Sequence, residues 1–244
     1  MDGVGGVNRL SFVMHFRVLL QTLLMVAGCF TCARSAAADD WRPLVTGKDL
    51  TGWVQRGGQA KYRFEDGMIV GTSAPNTGNS FLCTERVYRN FVLELEAKQD
   101  SAINSGIQFR SLWFNEPKTY KDGDKEIKVP AGRVHGYQCE LDPSPRKWSG
   151  GIYDEGRRGW IASLTNKTEA QAAYKLGEWN RIRIEGEGDR LRTFVNDVPC
   201  AELKDAWTLE GFIGLQVHSV GNKTEPMEVR WRNLRIKELP DTKK

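Results

Sequence analysis

Glu140-Leu141-Asp142 is the carboxylate pair in this chain best spaced for acid–base chemistry. On a β-strand, residues two apart share a face, and their Cβ atoms lie about 6.6 Å apart, twice the rise per residue. Paired carboxyls cleave glycosidic bonds, about 5–5.5 Å apart in retaining enzymes and about 6.5–9.5 Å apart in inverting ones. Flexible side chains let this pair reach either separation. The same alternation puts Gln138 on the face of Glu140 and Asp142, with Tyr137, Cys139 and Leu141 opposite. Gln108 and Arg110 share a face opposite Ile107 and Phe109, and Gln216 and His218 share one opposite Leu215 and Val217. Such rows can hydrogen-bond a polyhydroxylated ligand, although a solvated sheet face would alternate in the same way. Trp113, Tyr137, Trp148, Tyr153 and Trp160 interleave with them. Aromatic rings stack on the apolar C–H faces of sugars while polar side chains pair with the hydroxyls.

These residues need strands to present them, and the chain supplies strands. Tyr62 to Glu65, then Asp66-Gly67, then Met68 to Val70 reads as a hairpin on a D-G turn. Phe91 to Ala97, Ile103 to Leu112, Tyr137 to Asp142 and Gly151 to Asp154 follow. Trp179 to Glu185 and Arg190 to Val195 form another hairpin, and Phe212 to Ser219 and Val229 to Leu239 close the chain. Only Glu169 to Leu176 suggests a helix, and it is short. Many strands with Gly-rich turns and no intervening helices predict an all-β sandwich of two antiparallel sheets. One domain from residue 39 to 239 accommodates them, with a short disordered tail at 240–244. The polar stretch 113–134 is the longest insertion; it reads as a solvated loop, although long loops on sandwiches are often functional.

The first 38 residues read as an address. Arg9 and Arg17 precede an apolar run, and Ala36-Ala37-Ala38 precedes Asp39, the layout of a secretory signal peptide. This predicts a secreted or periplasmic bacterial protein. Val26-Ala27-Gly28-Cys29 also resembles a lipobox, and cleavage there would leave a lipid on Cys29 and tie the protein to a membrane. The chain has 244 residues and a net charge of +4. Three Arg and one Asp lie before Asp39, which leaves +2 for the remainder. That near-balance argues against nucleic acid as a partner, which would need a concentrated basic face. A mean hydropathy of −0.49 excludes a polytopic membrane protein. Cys83, Cys139 and Cys200 are too few and too scattered for a disulfide framework or a thiolate zinc site, and read as small buried hydrophobes.

Ser105-Gly106-Ile107-Gln108-Phe109-Arg110, Gly136-Tyr137-Gln138-Cys139-Glu140-Leu141-Asp142 and Ser149-Gly150-Gly151-Ile152-Tyr153 resemble successive motifs of the 3-keto-disaccharide hydrolase domain family. So do Gly177 to Asn180, Phe194 to Asp197, Gly211 to His218, Val229 to Ile236 and the opening from Trp41 to Trp53. The resemblance spans nearly all of residues 41–239 in order. It implies a concanavalin A-like jelly-roll sandwich. The family usually has Glu where Gln138 stands and Gln where Glu140 stands, so the two look exchanged. Retaining glucanases on lectin-like sandwiches carry E-x-D-x-x-E on one strand. Glu140 and Asp142 match its first half, and Pro145 replaces the third carboxylate.

The resemblance implies cleavage of a 3-keto-glycoside or oligosaccharide. A ketone at C3 acidifies the C2 proton; a base removes it, the C1 substituent leaves, and water adds. On this reading Glu140 or Asp142 is the base, and Arg110 and His218 stabilise the enolate or protonate the leaving group. Gln108, Gln138, Gln216 and Tyr153 hold hydroxyls. No cofactor is required, although a divalent cation such as Ca²⁺ could sit on the carboxylate row. Two other readings use the same fold: a non-catalytic carbohydrate-binding module, and a surface-interaction sandwich whose polar row is solvated.

Overall fold

The computed structural model describes residues 40–47, 49–99 and 103–241. The expected signal segment, the Cys29 lipobox and the last three residues lie outside that range. Of the expected tail, Asp241 is tied down, because Asn90 Nδ2 donates to its Oδ1 at 2.9 Å.

Two antiparallel sheets carry the fold. The front sheet runs, in spatial order, β12 (Gly159–Ala162), β11 (Ile152–Glu155), β10 (His135–Leu141), β7 (Ser105–Leu112), β16 (Gly211–Val217), β5 (Ser80–Tyr88) and β2 (Trp53–Gly57). The back sheet runs β15 (Val198–Lys204), β14 (Arg190–Val195), β13 (Asn180–Glu187), β6 (Phe91–Gln99), β17 (Glu228–Glu238), β4 (Met68–Thr72) and β3 (Lys61–Glu65). The short β1 (Arg42–Pro43) also pairs with β17. Neighbours such as β6 and β17 are far apart in sequence, as jelly-roll connections require. The helical candidate is a six-residue helix, α1 (Thr168–Ala173). Among the described residues no helix is long and apolar enough to cross a membrane.

Period-two alternation fills the space between the sheets. Ile107, Phe109, Tyr137, Leu141 and Leu215 from the front meet Leu93, Leu95, Ile182, Ile184 and Trp231 from the back in one buried cluster. The β3–β4 hairpin turns on Asp66 (φ 50°) and Gly67 (φ 77°), the paired left-handed conformation that a two-residue D-G turn favours. Cys83, Cys139 and Cys200 are free and buried, as expected of small hydrophobes.

The 113–134 insertion is not a simple solvated loop. Lys118–Asp122 (β8) and Lys125–Val129 (β9) form a hairpin of their own. Its Tyr120 stacks on Trp207, with ring centroids 5.8 Å apart. Tyr120 Oη also lies 2.7 Å from His135 Nε2, while His135 Nδ1 lies 2.9 Å from the Arg133 carbonyl. A carbonyl only accepts, so Nδ1 carries the proton and Nε2 accepts from Tyr120. His135 is thus the clasp that holds the insertion.

Candidate functional site

The outer face of the front sheet should meet water, yet β10 is buried along all seven residues. On that outer side Gln138, Glu140 and Gln216 form the floor of a trough of about 360 Å³. A merely solvated polar row would not be buried, so the surface-interaction reading loses its premise.

Strand register explains the floor. Glu140 on β10 lies opposite Gly106 on β7, and Gly106 lies opposite Gln216 on β16. Glu140 and Gln216 therefore flank a position without a side chain. A Cβ at Gly106 would come within 2.5 Å of Gln138 Cδ, so the glycine makes room for that side chain to lie flat. Laid there, Gln138 joins a directed chain of hydrogen bonds. Ser111 Oγ donates to Gln108 Oε1 at 2.7 Å, and Gln108 Nε2 donates to Gln138 Oε1 at 2.6 Å. Gln138 Nε2 then donates to Glu140 Oε2 at 2.7 Å, and Asn104 Nδ2 donates to the other carboxylate oxygen.

Two effects compete on Glu140. Burial disfavours its charge, while the Asn104 and Gln138 amides favour it; burial wins and the pKa is pushed up to about 7. A carboxyl poised near neutrality can take or return a proton at physiological pH.

The walls come from neighbouring strands and loops. Tyr153 and Trp160, register partners on β11 and β12, meet edge to face with centroids 5.3 Å apart. Asn79, Asn104 and His218 stand among the lining residues. His218 Nδ1 lies 2.8 Å from the Ser219 carbonyl, so Nδ1 carries a proton. Glu155, also lining the trough, is buried and paired with Arg133. Burial raises the Glu155 pKa, with Arg133 opposing. Sequence reasoning missed Glu155, although it stands two residues after Tyr153 on one strand and so shares its face. It also missed Arg133, Arg146, Asn79 and Asn104, which lie outside the regular strands and show no periodic signal.

Of the residues expected to form the site, Gln138, Glu140, Tyr153, Gln216 and His218 line the trough. Five others do not, and Arg110 is the main correction. It sits at a break in register between β7 and β16 with a left-handed φ of 46°, which ends the two-residue alternation. Its side chain is fully buried, with Nε donating to the Arg89 carbonyl and Nη1 to the Gly188 carbonyl, both at 2.7 Å. Burial pushes its pKa down to about 10, and the group remains a structural cation. Asp142 lies one residue past the end of β10. Its Oδ1 accepts from the Ser144 amide and its Oδ2 from Arg146 Nε, each at 2.9 Å. Burial works to raise its pKa, but those hydrogen bonds outweigh it and hold the carboxyl below its ordinary range.

Gln108 lies one step behind Gln138 in the amide chain. Trp148 supports the wall from behind, meeting Trp160 edge to face at 4.8 Å. Trp113 packs elsewhere, with the Arg56 guanidinium 4.2 Å over its ring. Among the described residues no group of three or more His, Cys, Asp or Glu is placed to hold a metal ion. Glu140 accepts from two amides and Asp142 from Ser144 and Arg146, so this donor set does not fit a Ca²⁺ site, which needs about six to eight oxygens.

The sandwich and its polar trough define a lectin-like jelly-roll protein of a carbohydrate-active class. Residues 40–237 match the 3-keto-alpha-glucoside-1,2-lyase-like domain, and the chain belongs to that family. No curated protein matches the chain at a significant level. Among solved structures, carbohydrate binding module CBM66 from Bacillus subtilis is similar at a TM-score of 0.54 and 17% identity, over 77% of this chain and 96% of that one. A Bacillus subtilis protein of unknown function with a galectin-like fold is similar at 0.56 and 12% identity, over 83% of this chain and 96% of that one. A Parabacteroides distasonis protein with the provisional description of glycosyl hydrolase is similar at 0.52 and 18% identity, over 82% and 94%. At these identities the likeness is one of fold.

Proposed function

We propose that the trough binds a 3-keto-glycoside and cleaves its glycosidic bond by elimination, with Glu140 as the base, in a protein exported by its first 38 residues. The observation that carries this reading is Glu140 itself: a buried carboxyl on the trough floor, held by two amides, with a pKa of about 7. Glu140 takes the C2 proton. The C2–H electron pair forms an enolate with its charge on the C3 oxygen; that charge then returns to make the C1=C2 double bond as the C1–O bond breaks, and the leaving oxygen takes a proton from His218. Water added across the double bond completes a net hydrolysis. The exposed surface of the trough is almost wholly polar, which suits a ligand dense in hydroxyls.

Glu140→Gln tests the proposal. It keeps the shape of the side chain and removes the base, so kcat/KM for a 3-keto-glucoside should fall about 10²-fold or more. An unchanged value removes Glu140 from the chemistry. Sugar binding without turnover by the unaltered protein would favour the carbohydrate-binding module instead.

A further inference from the structure

The front sheet presents three buried glutamines to its outer side, and their amides are treated differently. Gln108 and Gln138 are bonded into the chain that ends on Glu140. Gln216 is equally buried, on β16 and lining the trough, yet neither its Nε2 nor its Oε1 finds a partner among the described residues. An unpartnered buried amide weakens a fold, because its lost hydration is not replaced. Native structures rarely carry one, and a functional demand is one reason they do.

Its place suggests that demand. Gln216 and Glu140 are two strand spacings apart, about 10 Å, with side-chain-free Gly106 between them. The Gln138 side chain lies over that glycine, so a sugar ring resting on it would have Glu140 toward one end and Gln216 toward the other. Removing a proton from C2 of a 3-keto sugar moves negative charge onto the C3 oxygen. Some group must donate to that oxygen, and Arg110, the cation expected to do so, is locked between backbone carbonyls away from the trough.

We propose that Gln216 is a catalytic residue: its Nε2 donates to the C3 oxygen as the enolate forms, and its Oε1 accepts from the neighbouring ring hydroxyl and so fixes the amide. This deepens the function proposed above and rests on it. No bond to Gln216 forms or breaks; a preorganised donor stabilises charge that develops only in the transition state.

The experiment compares the unaltered protein with Gln216→Met and Gln216→Leu, using a 3-keto-glucoside as substrate. Both variants remove a fold liability, so Tm should hold or rise, by about 2–4 °C for each kcal/mol recovered. In both, kcat should fall about 10²–10³-fold, the usual effect of losing one such donor, while KM changes less. The acid limb of the pH profile, set by Glu140, should stay in place. If the unaltered protein does not turn over the substrate, the proposed function itself fails. If it does and either folded variant keeps kcat within about threefold, the function stands and the Gln216 role falls. A lowered Tm in both variants would mark the amide as structural and also overturn the role.

Discussion

Gln138 Nε2 donates to Glu140 Oε2 at 2.7 Å, from two positions earlier on the same face of β10. The contact ties the candidate base to an amide chain that begins at Ser111 on the adjacent strand. The acidity of Glu140 is therefore set in part by the sheet, with Asn104, just before β7, bonding the other carboxylate oxygen.

The raised Glu140 pKa has a consequence for stability. The folded protein holds this proton more tightly than the unfolded chain, whose carboxyl titrates near 4.5. The stabilisation is fully present below about pH 4.5 and is lost as pH rises through about 7. With a shift of that size it amounts to about 3 kcal/mol. Glu140→Gln cannot titrate, so thermal melts should show its Tm gaining on the unaltered protein between those pH values. Parallel curves would contradict the assignment. In kinetics, the acid limb of kcat/KM for the unaltered protein should be centred near pH 7, as the base ionises.

Arg110 should matter for folding and not for chemistry. Arg110→Met strands the Arg89 and Gly188 carbonyls, at about 1–3 kcal/mol each. Denaturant melts should show a loss of at least about 2 kcal/mol, with kcat per folded molecule within about threefold of the original. A folded Arg110→Met variant with kcat reduced about 10²-fold would restore the residue to the mechanism.

Glu140 and Arg110 together separate what alternation conveys from what it does not. Gln138, Glu140 and Gln216 were legible because β10 and β16 run regularly through them, and inward Tyr137, Cys139 and Leu141 fix the phase. Arg110 misled because one left-handed residue breaks the phase of β7, and no residue type in the sequence announces it. Asp142 misled because the strand ends at Leu141, and past the end the two-residue rule places nothing. The β8–β9 hairpin carried its own signal, Asp122-Gly123, but its charged neighbours made it look like a solvated loop. The sandwich itself was readable because its evidence is spread over many strands, so a local misreading does not alter it.

Asp142 acts on the trough through Arg146. Its carboxylate fixes that guanidinium, which lies 5.0 Å from the Trp148 ring and 5.3 Å from the Trp160 ring. Asp142→Asn weakens the tether, so KM for the sugar should rise several-fold with kcat nearly constant. Steady-state kinetics that place the whole effect on kcat would instead support a role as base.

The clasp on the insertion should open in acid. Burial holds the His135 pKa below 6.5; nearby Arg157 and Arg133 push it down, while the Arg133 carbonyl and Asp154 oppose. A group with a depressed pKa contributes stability above about pH 6.5 and loses it as pH falls through its folded value. A second proton on the ring also ends its acceptance from Tyr120. Hydrogen exchange of the β8–β9 amides, corrected for intrinsic rates, should be faster at pH 5 than at pH 7. Tyr120→Phe should shed about 1 kcal/mol of that protection at pH 7. Equal protection at both pH values would sink the idea.

Both arginines that line the trough are already matched, Arg133 by Glu155 and Arg146 by Asp142. An incoming anion would find no spare guanidinium, and a phosphorylated or uronic sugar would have to compete with a resident carboxylate for either one. Uncharged glycans meet no such contest. Their capture should vary little with ionic strength, since no long-range attraction is there for salt to screen.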